Sequence, residues 1–224
     1  MPGALVVLEG AEGVGKTTQL WRLAARARHT GLQVEVVREP GGTPLGDEIR
    51  RLVLDAPLHI VPRAEALLFM ASRAQLLDDV VRPALGRGAL VLTDRFFLST
   101  YAYQAAGRGL DALAVQMTNQ FATAGLVPDL TVLIDLPVGE GIARAASRGA
   151  PDRVERSGDG FHERVALAFR EFATAEWQGR HSECGPIELV SGAGTESEVE
   201  ERIWERLSAF RPETFRALRG SHTG

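Results

Sequence analysis

Lysine is nearly missing from this chain. Of its 25 basic residues only Lys16 is a lysine, and the rest are arginine. Lys16 follows a glycine, so the Asn-Lys-x-Asp motif by which GTPases read guanine is ruled out, and with it a switch protein of that class. Cysteine is as scarce. Cys184 stands alone, which excludes an intrachain disulfide, and its neighbours Gly185 and Pro186 make it read as an incidental loop residue. No apolar run approaches the length of a membrane span, and the short N-terminal run lacks the basic flank of a signal peptide, so a cytoplasmic protein is expected. The net charge is −4, which gives no bulk attraction to a nucleic-acid polymer or an anionic membrane. No internal repeat is visible. What remains is an ordinary globular composition, 45% apolar and 24% charged over 224 residues. It reads as one domain over residues 1–210 with a loose tail over 211–224.

The one lysine lies in the stretch Gly10, Ala11, Glu12, Gly13, Val14, Gly15, Lys16, Thr17, Thr18. From Gly10 to Thr17 it fits the phosphate-loop pattern G-x-x-x-x-G-K-[ST]. The apolar run at 4–8 reads as a buried strand, and Leu20, Leu23, Ala24 and Ala27 recur at helical spacing, which is the context the motif requires. The glycines let successive N–H groups turn inward as an anion-binding nest, and the following helix adds its positive end. Lys16 would reach the outer phosphates of a nucleotide, and the Thr17 hydroxyl would sit on Mg²⁺. A compact ammonium suits a tight loop in which a planar guanidinium is no equivalent.

Further strand-like runs fall at 34–37, 89–93, 130–134 and 187–190, with helical patterns between them. A helix over about 63–81 places Leu67, Met70, Ala71 and Ala74 on one face. Another is striped by Phe161, Val165, Ala168, Phe169 and Phe172, and the last opens on a Thr195–Glu198 capping box. Short apolar strands alternating with helices predict an α/β fold of the phosphate-loop NTPase type, a five-stranded and mainly parallel sheet flanked by helices. Ligands then gather at the carboxyl ends of the strands. That brings the phosphate loop, the stretch Arg38-Glu39-Pro40-Gly41-Gly42 and the pair Asp94-Arg95 into one cleft. The segment 148–160 carries Arg148, Asp152, Arg153, Glu155 and Arg156 among Gly, Pro and Ser. It is either a solvated loop or a lid whose arginines close over transferring phosphates.

Phosphoryl transfer asks for positioning, Mg²⁺ and positive charge rather than covalent participants. Asp94, at a strand end, fits either a Mg²⁺-holding carboxylate or a helix cap. Arg38 and Arg95 fit a bidentate phosphate grip or surface ion pairs. Phe69 and Arg73 are four apart and share a helix face, where a ring and a guanidinium suit a planar base, although Phe69 also fits a core position.

Five stretches in order resemble the bacterial thymidylate kinases. They are the phosphate loop with Glu12, then Arg38 to Thr43, then Leu68 to Leu76, then Asp94-Arg95-Phe96 with Ser99 and Ala102-Tyr103-Gln104, then Asp152-Arg153-Val154-Glu155. The resemblance implies transfer of the γ-phosphate of ATP to dTMP, giving dTDP for dTTP biosynthesis, with Mg²⁺ and in a homodimer. It implies that Phe69 stacks on thymine and that Arg73 bonds its exocyclic oxygen. Arg38 and Arg95 would hold the acceptor phosphate, with Pro40 beside it, and Tyr103 would lie against the sugar. Thr100 and Gln104 would line the base pocket, and Glu12 would sit near the acceptor sugar and phosphate. Lys16, Thr17 and Asp94 would serve ATP and Mg²⁺. Ala11, Glu12, Gly13 and Val14 include no base, so the resemblance implies the family arrangement with its catalytic arginine in the lid, and Arg153 comes first among the lid arginines. Phe96 departs from the Tyr of many relatives, and Thr100 replaces an Asn that some carry. Another nucleoside or nucleotide kinase of this fold, or a non-catalytic nucleotide-binding protein, is the alternative.

Overall fold

The structure, a computed structural model, describes residues 3–147 and 152–211. The expectations for Arg148 and for the tail from residue 212 onward lie outside the described residues.

Strand β1 (Ala4–Glu9) is buried along its whole length. Leu5 and Val7 join the core on one face of the sheet, and Ala4, Val6 and Leu8 join the core on the other. A strand apolar on both faces needs cover on both, and crossover helices of a parallel sheet supply it. After β1 come α1 (Lys16–His29), β2 (Val34–Arg38), α2 (Pro44–Arg50), α3 (Pro62–Leu76), α4 (Arg82–Gly86) and β3 (Leu90–Asp94). Then follow α5 (Phe97–Thr100), α6 (Ala112–Thr123), β4 (Leu130–Asp135), α7 (Val138–Ala146), α8 (Asp159–Phe172), α9 (Ala175–Arg180), β5 (Ile187–Ser191) and α10 (Glu196–Phe210). The sheet order is β2-β3-β1-β4-β5, with every pairing parallel. Leu20, Leu23, Ala24 and Ala27 of α1 and Val199, Ile203 and Leu207 of α10 fill one face. Residues of α2, α3, α6 and α8 fill the other.

The order reverses at β1, so the crevice for ligands opens at its carboxyl end, where the phosphate loop begins. Register places Asp94 opposite both Leu8 and Arg38, which puts the three expected stretches in one row. Helices α2, α3 and α5 each run on into a wider π-helical turn, Arg51–Asp55, Leu77–Val81 and Tyr101–Gly107. The last of these carries Tyr103 and Gln104.

Two expectations need correction. The α3 stripe does not face the core as a unit, because Leu67 is 58% exposed and Ala71 is exposed. The buried face of α3 instead carries Glu65, Ala66, Met70, Ser72, Arg73 and Leu76. Its polar members are there because partners on other elements satisfy them, which a hydrophobic count does not see. Cys184 is no incidental loop residue. It is fully buried in a short 3₁₀ turn (Ser182–Cys184), and burial raises its thiol pKa far above the usual range. Helix α9 was not anticipated, since its six residues are too few to show a period.

Candidate active site

A cavity of about 630 Å³ opens at the carboxyl end of the sheet. One end is the phosphate loop. Gly13 has φ 73°, and a Cβ there would lie 1.8 Å from the Gly141 carbonyl oxygen of α7, so only glycine lets loop and helix close on each other. Lys16 opens α1 and bends back, its Nζ donating to the carbonyl oxygens of Gly10 (3.0 Å) and Ala11 (2.8 Å). Burial, with Arg95 nearby, lowers its pKa to about 8. The Thr17 hydroxyl donates to Asp94 Oδ2 at 2.5 Å across the crevice. A hydroxyl and a carboxylate held together are hard oxygen donors, the set that suits Mg²⁺ arriving with phosphates and its own waters.

Beside the loop lies Arg95, a non-glycine residue in the left-handed region at φ 76°. Such a backbone costs of order 1 kcal/mol or more and persists only where its surroundings over-determine it. Here its N–H donates to Leu8 O, and its guanidinium donates to Ser99 Oγ (2.9 Å) and Glu12 Oε1 (2.6 Å). Burial alone would lower the Arg95 pKa, but Glu12, Tyr103, Asp94 and Glu9 around it raise it well above normal, so it stays charged. Tyr103 also donates to Glu12 Oε1, at 2.8 Å, and burial holds its phenol neutral. Glu9, fully buried at the end of β1, accepts from the backbone N–H of Phe96 and Ser99 and from Ser99 Oγ. It ties the start of α5 to the strand that launches the phosphate loop.

The far end of the cavity is built from side chains. Arg73, 3% exposed, uses all five of its N–H groups within the chain. Its acceptors are Glu39 Oε2, which takes two, Thr100 Oγ1 (2.9 Å), Phe96 O (2.9 Å) and Asn119 Oδ1. Burial raises the Glu39 pKa against the pull of Arg73. Glu39 Oε1 has no hydrogen-bond partner among the described residues. Phe69 and Gln104 line the same wall.

Of the residues expected at the site, Glu12, Gly13, Gly15, Lys16, Thr17, Arg38, Pro40, Phe69, Arg73, Asp94, Arg95, Thr100, Tyr103 and Gln104 all line this one cavity. Gly10, Ala11, Val14 and Thr18 do not; Ala11 and Val14 line a smaller apolar cleft under the loop. Arg153 does not line it either, although Asp152, Val154 and Glu155 do. Its guanidinium donates to Val53 O (2.7 Å) and to Glu65 Oε2, and its N–H donates to Leu54 O. It therefore caps the carboxyl end of the α2 segment, where a cation meets free carbonyls favourably.

Several lining or supporting residues were missed. Arg50 lines the cavity, donates to Pro40 O, and has its pKa lowered by burial and by Arg38. Arg38 has no hydrogen-bond or ion-pair partner among the described residues, and with Arg50 it lines the cavity as a second cation. Glu65 is eight residues before Arg73 on the same face, so the spacing that picked Phe69 and Arg73 extends to it. Asn119 is the only asparagine in the chain, and that rarity was the available signal.

Comparison with known proteins agrees with this geometry. The family model described as Thymidylate kinase matches residues 8–188. A thymidylate kinase of Deinococcus radiodurans is 48% identical over 206 residues, covering 92% of this chain and 97% of its own length. One from Thermosynechococcus vestitus is 41% identical over 236 aligned positions, covering 99% and 94%. One from Pseudomonas putida is 51% identical over 175 residues, covering 77% and 83%. With a phosphate-loop sequence lining the cavity, a family model over most of the chain, and relatives of this identity along nearly its whole length, the protein belongs to the thymidylate kinase family.

Proposed function

We propose that the protein transfers the γ-phosphoryl group of ATP to dTMP, giving dTDP and ADP, in the cytoplasm and as a homodimer. The observation that carries this reading is the continuity of the cavity. Lys16 and Thr17 stand at one end, Phe69, Arg73 and Gln104 at the other, and Arg38, Arg50 and Arg95 lie between, where the two phosphates would meet.

The chain's residues do the positioning. Lys16 swings from the Gly10 and Ala11 carbonyls to the outer phosphates of ATP. Arg38 and Arg50 take the acceptor phosphate, and Arg95, braced by Glu12 and Ser99, orients it. The acceptor oxygen is already anionic, so no general base is required. It forms the new P–O bond as the β–γ bridge breaks and the electron pair leaves on ADP. Thr17 and Asp94 would hold Mg²⁺, which supplies Lewis-acid neutralisation of phosphate charge when bound. Phe69 stacks on the base. The exocyclic oxygen of thymine replaces Thr100 Oγ1, a neutral hydroxyl among the four acceptors held by Arg73. Tyr103 lies against the sugar. Arg153 leaves Val53 and Glu65 for the transferring group when its segment closes as a lid.

The dimer face is the outer surface of α3 and α6. Leu67, Leu113, Met117 and Phe121 are exposed there, with Phe121 at 88%. A coupled ADP-release assay with dTMP, dUMP, UMP, dCMP, dGMP and AMP tests the reaction. Strong preference for dTMP with weaker use of dUMP is expected. A different preferred acceptor overturns the Phe69, Arg73 and Gln104 roles, and no turnover on any acceptor overturns the reaction.

A further inference from the structure

Glu65 is a carboxylate almost wholly inside the protein, 1% exposed, and of the residues assigned to the phosphates it touches only Arg153. It accepts four hydrogen bonds. Oε1 takes Arg108 Nε (3.0 Å) and Gln104 Nε2 (3.2 Å), and Oε2 takes Arg108 Nη2 (3.2 Å) and Arg153 Nη2. Burial alone would raise its pKa, but the hydrogen bonds from Arg108 and Arg153 override this and lower it, so the group is ionised at neutral pH. An ionised carboxylate only accepts. Whatever amide faces it must present NH₂, and this fixes the orientation of Gln104 without reference to which amide atom is drawn where. The Gln104 carbonyl oxygen is left to face the cavity, and no group among the described residues donates to it.

We propose that Glu65 is a specificity-determining positioning residue for the base. By holding the Gln104 NH₂ it keeps Gln104 Oε1 as a fixed acceptor toward the cavity, matched to the N3–H donor of thymine or uracil and opposed to the bare N3 acceptor of cytosine. This inference rests on the acceptor reading given above. It places discrimination between the two pyrimidine classes one residue behind the residue that touches the base. A misplaced acceptor–acceptor contact leaves two polar groups unpaired, which is the strong form of rejection.

The test is a charge swap read as the ratio of kcat/KM for dTMP to that for dCMP. In Glu65→Gln the new amide can donate, Gln104 is free to turn, and the ratio should fall at least about tenfold. In Gln104→Glu, with Glu65 in place, two carboxylates meet, and kcat/KM for dTMP should fall by about 30-fold or more. In the double variant Glu65→Gln/Gln104→Glu, the amide introduced at position 65 donates to the carboxylate introduced at position 104. An oriented acceptor is restored, and dTMP turnover should return to within about fivefold of wild type. Thermal melts accompany each variant. A residue that merely holds the fold would lower both substrates together, so an unchanged ratio in folded Glu65→Gln overturns the proposal, as does a double variant no better than Gln104→Glu. Should Glu65→Gln fail to fold, Gln104→Glu alone decides, and wild-type dTMP turnover in it overturns the proposal. Wild-type enzyme inactive on dTMP defeats the acceptor reading itself, whereas active wild type with an unchanged ratio defeats only the role of Glu65.

Discussion

The two ends of the cavity are built in opposite ways. The phosphate end is one contiguous loop of nine residues whose chemistry is mostly backbone, closed on α7 by the approach of Gly13 to Gly141. The base end is a web of side chains drawn from β2, α3, α5 and α6 and centred on Arg73, which has no N–H to spare. On the proposed reading, the first would bind any nucleotide with a triphosphate. The second has its guanidinium saturated before a ligand arrives, so on the same reading it would select by which of its bonds a ligand can replace. General affinity and specific recognition are thus separated along one space.

The sharpest break of the comparison is at the loop. Lys16→Ala should lower kcat by about 10³-fold or more, since phosphate charge then goes uncompensated in a dry site. Circular dichroism and the melting temperature should change little, and near-normal turnover would refute the phosphate-loop role. The base end should fail in stability instead. Arg73→Leu leaves Glu39 buried without its cation and should cost about 3–5 kcal/mol in denaturant-induced unfolding. A loss below about 1 kcal/mol would mean that the web does not hold the fold. Arg153→Ala asks whether the lid belongs to the phosphate end. kcat should fall by about 100-fold with the dTMP KM nearly unchanged. An effect confined to KM would move the catalytic role to another arginine.

Smaller effects come from charge and from the outer surface. The Lys16 pKa is lowered to about 8, so the ammonium is the majority form at neutral pH and is lost as pH rises through about 8. ATP affinity should therefore be flat from about pH 6.5 to 7.5 and weaken by up to about tenfold per unit above pH 8. Titrations at pH 7, 8 and 9 check this, and a flat profile would show that Lys16 is not the group that meets the phosphates. On the proposed dimer, Phe121→Glu should give a monomer in sedimentation velocity while moving neither end of the cavity. A protein that stays dimeric removes that face from consideration.

How much of this was legible in the sequence follows the same division. The strands and the phosphate loop depend on residues close in the chain, and each of the five strands expected from apolar runs is present, ending one residue later than the run itself. The base slot was half legible. Phe69, Arg73, Thr100 and Gln104 could be named through the resemblance, but their supports could not. Asn119 is 46 residues from Arg73, and Glu9 is 87 from Phe96. A buried polar residue is explained by its partner, and a partner that far away leaves no periodicity. The same reason misdirected the α3 stripe, where Leu67 and Ala71 look like core and Glu65 and Arg73 look like surface. Arg153 shows a further limit. Its motif was found, yet its place is set by the free carbonyls at Val53 and Leu54, which belong to the backbone of a distant helix end.

The solitary lysine also makes this protein unusual as a reagent. A chain with 24 guanidinium groups and one ε-amine offers amine-selective chemistry a single side-chain target, and that target lies in the cavity at the carboxyl end of the sheet. Its lowered pKa supplies free amine near neutral pH, where other proteins' lysines are almost wholly protonated. An acyl or aryl label on the side chains would thus count the phosphate loops left open by ATP, with no mutagenesis needed to silence a background.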